Sequence, residues 1–437
     1  MDDVTLVPSL RIQRRTAPQR RYLPRALEAT EELAAHARAP GEAWLRASID
    51  RRLRQLGASL VRSPYYLEAL RAAALSPRDL RSTYDLARFP ALARETLQAR
   101  WADLPAFDPE AAEAQELVTV ASSGSTGDPV TVVKDGYDCL HMWAVLRFWT
   151  EWAGVALPPR PRVALLCSLG SGLEYSVRLP LLADGALHRI SLSRPLPLER
   201  LRRARPSVLF SDPAGLHWLA GQRDLPPVRI VLTSAQHFSP GQREELRRAL
   251  PVPVINYYAT TETGPLAWEC LDAAGRFHVL LPDVWVESVG GEIVVTRLRR
   301  SALPLLRYRT GDGGRVLRDD CACGYRGWSI TGFTGRRECA FLRPDGRTAD
   351  AWQLAWLFKH YPLRGFRLTQ RGPERFELEV AVGEDRVRLK DLRDRLRAAL
   401  RVHGWERPAI TLRVRPGIET RGEKPEPFRR VCGDAVP

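Results

Sequence analysis

The stretch VRIVLTSAQHFSPGQREELRRALPVPVINYYATTETGPL, residues 228–266, places a charged segment between two apolar runs. The runs VRIVLTS (228–234) and PVINYY (253–258) are strand candidates. Between them, SPGQREELRRAL (239–250) has a helical pattern and opens with Ser-Pro, a typical N-cap and first turn. Two strands joined through a helix run parallel. The stretch therefore predicts an α/β fold.

The same alternation extends in both directions along the chain. Residues 1–115 space apolar side chains three and four apart, as helices do, whereas residues 275–317 give strand-like runs with little room for helices. We predict a large N-terminal domain, residues 1–335, and a small mobile α+β C-terminal domain, residues 336–437. The large domain is predicted to divide into a helical lead-in at 1–115, an α/β core at 116–270 and a β-rich subdomain at 271–335.

Composition narrows the class of protein. With 437 residues, 44% apolar and 27% charged, the chain is long enough for two or three globular domains and is not disordered or coiled-coil. It has no apolar run long enough to cross a bilayer, and its start, MDDVTLVPSLRIQRR, lacks the apolar core of a signal peptide. Seven cysteines favour reduced thiols or metal ligands over a disulfide framework. We expect a cytoplasmic protein that does not bind membranes.

The formal net charge of +15 has two interpretations. A basic protein can bind nucleic acid, and a zinc module would suit that role. However, 62 of the 66 basic residues are arginines, and no block of five or six basic residues interrupts the chain. We therefore attribute the charge to composition and expect no nucleic-acid partner.

Three segments carry groups suited to a nucleotide. VTVASSGSTGDPV (118–130) offers hydroxyls and glycine N–H groups that can surround phosphate oxygens, or else forms a polar turn. PVINYYATTETGPL (253–266) places Tyr258 and Glu262 after a strand, where an α/β sheet binds ligands; a ring can stack there and a carboxylate can hold Mg²⁺. LPLLRYRTGD (303–312) ends at an aspartate suited to a ribose diol.

In this order and spacing, the three segments resemble the motifs of the adenylate-forming superfamily, which includes acyl-CoA synthetases, adenylation domains and luciferases. GRRE (335–338) resembles the hinge motif of that superfamily, and Lys424 lies in the final loop, where the superfamily keeps a catalytic lysine. The N-terminal stretch 63–97 is similar to phenylacetate–CoA ligase-like enzymes. The resemblance covers nearly the whole chain.

The resemblance implies a role for each matching residue. Lys424, Thr261 and Glu262 would be catalytic, with Thr261 at the α phosphate and Glu262 holding Mg²⁺, while Glu338 would be the hinge. ATP would contact the phosphate loop, the adenine-side segment, the tyrosine motif and the ribose side: Ser122, Ser123, Gly124, Ser125, Thr126, Gly127, Ser234, Ala235, Gln236, Tyr258, Ala259, Thr260, Asp312 and Arg336. The tail GEKPEPFRRV (422–431) departs from the pattern of relatives around Lys424.

A second constellation consists of Cys270, His278, Cys321 and Cys323. Three cysteines and a histidine suit tetrahedral Zn²⁺ in a closed structural site, provided that the β-rich region brings them together. The alternative is four unrelated residues.

The resemblance implies ATP-dependent activation of a small carboxylic acid, with an aryl acid expected, as an acyl-adenylate with release of pyrophosphate. The acyl group would pass to coenzyme A. An amine or carrier-protein thiol is the alternative acceptor, and a catalytically inactive nucleotide-binding relative is the alternative from another class. The cofactors implied are ATP, Mg²⁺, coenzyme A and structural Zn²⁺, in a monomer or homodimer.

Overall fold

The computed structural model describes most of the chain. The described ranges are 4–7, 10–12, 16–106, 117–121, 130–167, 174–179, 184–192, 194–234, 238, 240–336, 340–346, 348–358, 361, 363–382, 388–415 and 428–431. They divide into two compact units. The larger takes in the described residues up to Ala121 and from Val130 to Phe333, and the smaller takes in those from Thr334 onward.

The larger unit begins with two short strands and a group of helices. The elements are β1 (Val4–Val7), β2 (Leu10–Ile12), α1 (Thr16–Ala37), α2 (Glu42–Leu60), α3 (Pro64–Ala72) and α4 (Arg94–Ala99), with 3₁₀ turns at Pro77–Asp79 and Leu86–Arg88. The predicted helical lead-in thus starts only at Thr16. In α2, the buried residues Leu45, Ile49, Leu53, Leu56 and Leu60 recur every three or four positions, which gives the helix one apolar face.

The rest of the larger unit is α/β and then β. Its elements are β3 (Val118–Ala121), β4 (Thr131–Lys134), α5 (Gly136–Trp152), β5 (Arg162–Cys167), β6 (Tyr175–Leu179), β7 (Gly185–Ser191), α6 (Pro197–Ala204), β8 (Val208–Ser211), α7 (Pro213–Ala220), β9 (Ile230–Thr233), α8 (Pro240–Ala249), β10 (Val254–Thr260), β11 (Gly264–Glu269), β12 (Phe277–Val279), β13 (Val284–Val289), β14 (Glu292–Arg297), β15 (Tyr308–Asp320) and β16 (Arg326–Arg336).

A sheet of twelve strands organises the described part of this unit, in the order β13-β14-β15-β16-β12-β11-β10-β9-β8-β5-β7-β6. β7, β5, β8, β9 and β10 are parallel, as the strand–helix–strand pattern predicts. β10 pairs in parallel with β9 and antiparallel with β11, so it joins the two kinds of pairing. Residues 271–335, predicted as a separate β-rich subdomain, therefore continue the same sheet.

The smaller unit has an α+β arrangement. Its elements are β17 (Ala340–Leu342), β18 (Thr348–Asp350), a 3₁₀ turn (Ala351–Leu354), α9 (Ala355–Phe358), β19 (Leu363–Gly372), β20 (Arg375–Val382), α10 (Leu389–Val402), β21 (Ala409–Arg415) and β22 (Phe428–Arg430). The strands pair in the order β21-β20-β19-β22, and Leu392, Leu396 and Leu400 of α10 belong to one apolar core with Leu378 and Phe428. The predicted α/β class with a small C-terminal α+β unit is confirmed. Among the described helices, none combines the length and apolar character that crossing a membrane requires.

Candidate active site and metal centre

The second and third nucleotide-type segments meet at the end of β10. Tyr258 is buried, and its hydroxyl donates a hydrogen bond to Asp312 Oδ2 at 2.6 Å. Burial first, and then the Asp312 carboxylate, raise the pKa of Tyr258 well above its ordinary value, so the phenol remains a donor. The Tyr258 ring also lies 4.7 Å from that of Phe333. Two segments 54 residues apart are thus joined by one short bond.

Backbone geometry fixes Asp312 in β15. Its N–H donates to Thr310 Oγ1 at 3.1 Å, and the Thr310 hydroxyl donates to the Ile293 carbonyl at 2.8 Å. Gly311 has a φ of 79°, a conformation that glycine adopts readily. Its N–H donates to Glu292 Oε1 at 3.0 Å. These bonds hold the aspartate in place beside Tyr258.

Glu262 lies in the turn between β10 and β11 and is buried. Its Oε1 accepts hydrogen bonds from Arg94 at 2.6 Å and from the Tyr308 hydroxyl at 3.1 Å. No described residue bonds to Oε2, so that oxygen can serve a cation. A carboxylate oxygen is a ligand that Mg²⁺ prefers, and Glu262 therefore fits the predicted role.

Arg94 was not predicted as a site residue. Its position follows from pairing: Leu92 N donates to the Arg307 carbonyl at 3.0 Å, and Arg309 N donates to the Leu92 carbonyl at 2.9 Å. This bridge places the start of α4 against β15, beside Tyr308. A single arginine in a helical segment belongs to no recognisable sequence motif. Only its contact with Glu262 in the folded protein identifies Arg94 as a site residue.

Threonine hydroxyl groups form hydrogen bonds within the turn after β10. Thr260 Oγ1 accepts a hydrogen bond from Thr263 N at 3.1 Å and lies 2.9 Å from Thr263 Oγ1. Ala259 and Thr261 are partly exposed beside it. The turn therefore keeps two predicted ligand-contacting positions accessible.

The four predicted metal ligands come together. Their ligand atoms all lie within 4.8 Å of one another, with Cys270 Sγ 3.7 Å from Cys321 Sγ and Cys323 Sγ 3.2 Å from His278 Nε2. Two sulfurs bound to one tetrahedral Zn²⁺ at ~2.3 Å would be about 3.8 Å apart. The 3.7 Å separation is too long for a disulfide, whose sulfurs are about 2.05 Å apart. The set therefore fits tetrahedral Zn²⁺.

The surroundings of His278 support a ligand role. Its Nδ1 lies 3.0 Å from Ser329 Oγ, which fixes the ring, and its ring stacks 4.2 Å from that of Tyr325. Burial, followed by the charge of Arg276, lowers the pKa of His278 to about 4, so the imidazole is neutral at pH 7, as a metal ligand must be.

The sequence profile of the AMP-binding enzyme family matches residues 42–299, more than half of the chain. The chain belongs to the AMP-binding enzyme family. The Tyr258–Asp312 pair and Glu262 lie in or directly after this region.

Individual members of the AMP-binding family are distant relatives. The phenylacetate–coenzyme A ligase of Escherichia coli K12 is 26% identical over 281 residues, covering 58% of this chain and 63% of that enzyme. The enzyme of the same name from Thermus thermophilus is 28% identical over 312 residues, covering 64% and 67%. The aligned region is thus less than two thirds of the Escherichia coli enzyme.

A solved 2-hydroxyisobutyryl-CoA ligase, in the postadenylation state with an acyl-AMP, shares the fold. Its TM-score is 0.61 at 16% identity, over 90% of this chain and 91% of that one. The large α/β sheet and the small α+β unit are therefore an architecture that this chain shares with that ligase.

Several predicted AMP-binding positions lie outside the described residues: Ser122, Ser123, Gly124, Ser125, Thr126, Gly127, Ala235, Gln236, Glu338 and Lys424, together with the predicted N-cap Ser239. Ser234 is described; it is buried directly after β9. Arg336 is the last residue of β16. The roles of all these residues stay predictions.

Proposed function

We propose that this AMP-binding enzyme is an AMP-forming carboxylate ligase. The Tyr258–Asp312 hydrogen bond, next to the buried Glu262, is the observation that carries the proposal. This bond joins the Tyr258 ring to Asp312, the carboxylate that would hold the ribose. Glu262, the carboxylate that would hold Mg²⁺, lies in the turn directly after β10. The carboxyl end of a parallel strand is where α/β folds bind ligands. The named function of the two phenylacetate–coenzyme A ligases supports the same reaction class.

The reaction has two steps. A carboxylate oxygen of the acid attacks the α phosphorus of ATP, the bond to the β phosphate breaks, and pyrophosphate leaves with the electron pair. A thiolate of coenzyme A then attacks the acyl carbon, and AMP leaves. Asp312 would hold the ribose, Tyr258 would lie against the adenine, and Glu262 would hold Mg²⁺, which neutralises phosphate charge when bound. Lys424 would contact the carboxylate and α phosphate.

ATP–pyrophosphate exchange across a panel of aryl, heteroaryl and aliphatic acids, with and without coenzyme A, tests the proposal. We expect exchange with one class of acid and thioester formation when coenzyme A is present. ATP binding without exchange for any acid would instead support the inactive nucleotide-binding relative. Exchange without thioester would favour an amine or a carrier thiol as acceptor.

We also propose that Cys270, His278, Cys321 and Cys323 hold one structural Zn²⁺. The separations of their ligand atoms support a closed four-ligand site, in which all coordination positions belong to the protein. Such an ion would connect the end of β11, β12 and the β15–β16 turn.

A further inference from the structure

A cavity of about 190 Å³ lies beside the Tyr258 motif in the larger unit. One wall consists of Tyr257, Ala259 and residues 263–265, from the end of β10 and the following turn. Met142 of α5 lines it as well. A dry cavity of about 150 Å³ is large enough for benzene, so this one has room for a small acyl group.

Lys134, the last residue of β4, lines the same cavity. Within the described ranges its ammonium group has no hydrogen-bond or ion-pair partner. Burial lowers the pKa of Lys134, and the charge of Asp138 opposes that shift. The Lys134 side chain is partly buried, so water shields its charge only in part, and no described anion contacts it. Such a group is a candidate for ligand recognition.

His141, also on the cavity wall, is 1% exposed. Its Nε2 lies 2.5 Å from Asp283 Oδ2, whereas its Nδ1 has no hydrogen-bond partner among the residues that the structure describes. A buried ring nitrogen normally has a partner. His141 therefore has a buried ring nitrogen without a described partner.

The other charged side chains that line the cavity include more cations than anions. Arg299 contacts Asp138, whose other oxygen accepts a hydrogen bond from Ser301 at 2.6 Å. Among the described residues, Arg297 donates to neutral oxygens, those of Ser301, Leu303 and Glu262, the last through its backbone carbonyl. The described lining thus has three cations, counting Lys134, and one carboxylate.

Two further carboxylates lie near the cavity without lining it, and each has other partners. Asp135 accepts the N–H groups of Asp138 at 2.8 Å and of Ala302 at 3.2 Å. Asp283 is paired with His141. Within the described part of the chain, neither carboxylate forms a hydrogen bond or ion pair with Lys134, so the positive excess remains at the cavity surface.

We propose that this cavity binds the acyl portion of the substrate and selects an acid that carries a second anionic group, bound by Lys134. The inference rests on the proposed ligase function and specifies its substrate class. Met142, Tyr257 and Pro265 would contact the carbon skeleton, and the second carboxylate of the acid would supply the anion that Lys134 lacks. A carboxylate is a strong hydrogen-bond partner for an ammonium group.

Matched pairs of acids test the inference: glutarate against pentanoate, and 4-carboxyphenylacetate against phenylacetate. We expect pyrophosphate exchange with at least one dicarboxylate at a kcat/KM about tenfold or more above that of its monocarboxylate partner, as a charged hydrogen bond gives. Lys134→Met should abolish that preference while changing the rate with the monocarboxylate less than about threefold. Lys134→Gln, which keeps a donor without the charge, should also lose it.

Lys390→Met is the matched control, because Lys390 is exposed on α10 in the smaller unit. It should keep the wild-type preference. Exchange in wild type that favours the monocarboxylates would overturn the inference. A preference that is unchanged in Lys134→Met would overturn it as well. Either result would leave the proposed ligase function standing.

The melting temperature with each acid separates the two proposals if no acid supports exchange. A dicarboxylate that raises the melting temperature of wild type but not of Lys134→Met would support the cavity's selectivity and count against the ligase function. Neither exchange nor such a shift would overturn both.

Discussion

Arg94, Tyr308 and Glu262 form a buried group in which one carboxylate oxygen accepts two hydrogen bonds. The Arg94 and Glu262 side chains are 15% and 4% exposed. A carboxylate this buried needs polar partners. Arg94 and Tyr308 supply them and hold the Glu262 carboxylate in one orientation.

Replacing Glu262 with glutamine tests its predicted metal role. Glu262→Gln retains the shape but removes the charge, so pyrophosphate exchange should fall roughly 100-fold or more. Titration of Mg²⁺ should show a weaker requirement in the residual activity. Glu244→Gln, on the exposed face of α8, is the control and should exchange normally. Wild-type exchange by Glu262→Gln would remove Glu262 as the metal ligand.

The contact between Arg94 and Glu262 should contribute to the free energy of unfolding. Arg94→Met leaves the buried Glu262 carboxylate without its cation, which costs about 3 kcal/mol when one member of a buried pair is removed. Denaturant titration should show this loss, and Arg94→Lys should recover part of it because the charge is retained. Equal stability of wild type and Arg94→Met would show that Glu262 does not depend on this contact.

At the scale of elements, α5 begins with a reciprocal cap. Asp135 Oδ1 accepts the N–H of Asp138, and Asp138 Oδ2 accepts the N–H of Asp135 at 3.4 Å. Burial first, and then the Asp138 charge, raise the pKa of Asp135 to about 6 from 3.8. The folded protein thus takes up a proton at Asp135 more readily than the unfolded chain.

The sign of the resulting pH dependence follows from that shift. The stabilising contribution of protonated Asp135 is full below pH 3.8 and is lost as the pH rises through about 6. Asp135→Asn mimics the neutral form and still caps. Its melting temperature relative to wild type should therefore be higher at pH 7.5 than at pH 4.5. Asp394→Asn, on the surface of α10, should show no such difference; an equal offset of Asp135→Asn at both pH values would contradict the assignment.

The Cys/His cluster brings the β15–β16 turn next to β11 and β12, with Cys270 and Cys321 separated by 51 residues. Metal analysis should find about one Zn per chain, and Cys321→Ser should lose most of it together with thermal stability. Cys139→Ser, at an exposed cysteine outside the cluster, should keep both. A fully folded, metal-free wild-type protein would contradict the zinc proposal.

At the scale of the molecule, Lys424 should be needed for the first half-reaction, formation of the acyl-adenylate, and not for the second, transfer to coenzyme A. Lys424 lies outside the described residues, and its role follows from the superfamily resemblance alone. Lys424→Ala should lower pyrophosphate exchange roughly 100-fold while leaving turnover of a supplied acyl-adenylate with coenzyme A largely intact. Lys390→Ala is the control. An unchanged exchange rate would show that the tail motif has been misinterpreted.

The sequence predicted what local patterns specify. The apolar run of β10, the charged helix α8 and the motif ending at Asp312 are each continuous, and their positions were predicted. The buried α5 was not predicted, because an apolar helix has no clear amphipathic period; the cap residues Asp135 and Asp138 were the available signal. Arg94 and Lys134 gain their significance only from long-range packing, which no single segment encodes.

The helices α1 to α4 are synthesised well before some of the residues that they contact. The Tyr66 hydroxyl of α3 accepts a hydrogen bond from Leu306 N, 240 residues further on. At a ribosomal rate of ~5–20 residues per second, that partner emerges roughly 10–50 s later. Leu92 contacts β15 and Arg94 contacts Glu262, and both of these partners are likewise synthesised later. During synthesis, the nascent helices therefore expose apolar side chains that chaperones can bind, well before the site that they complete exists.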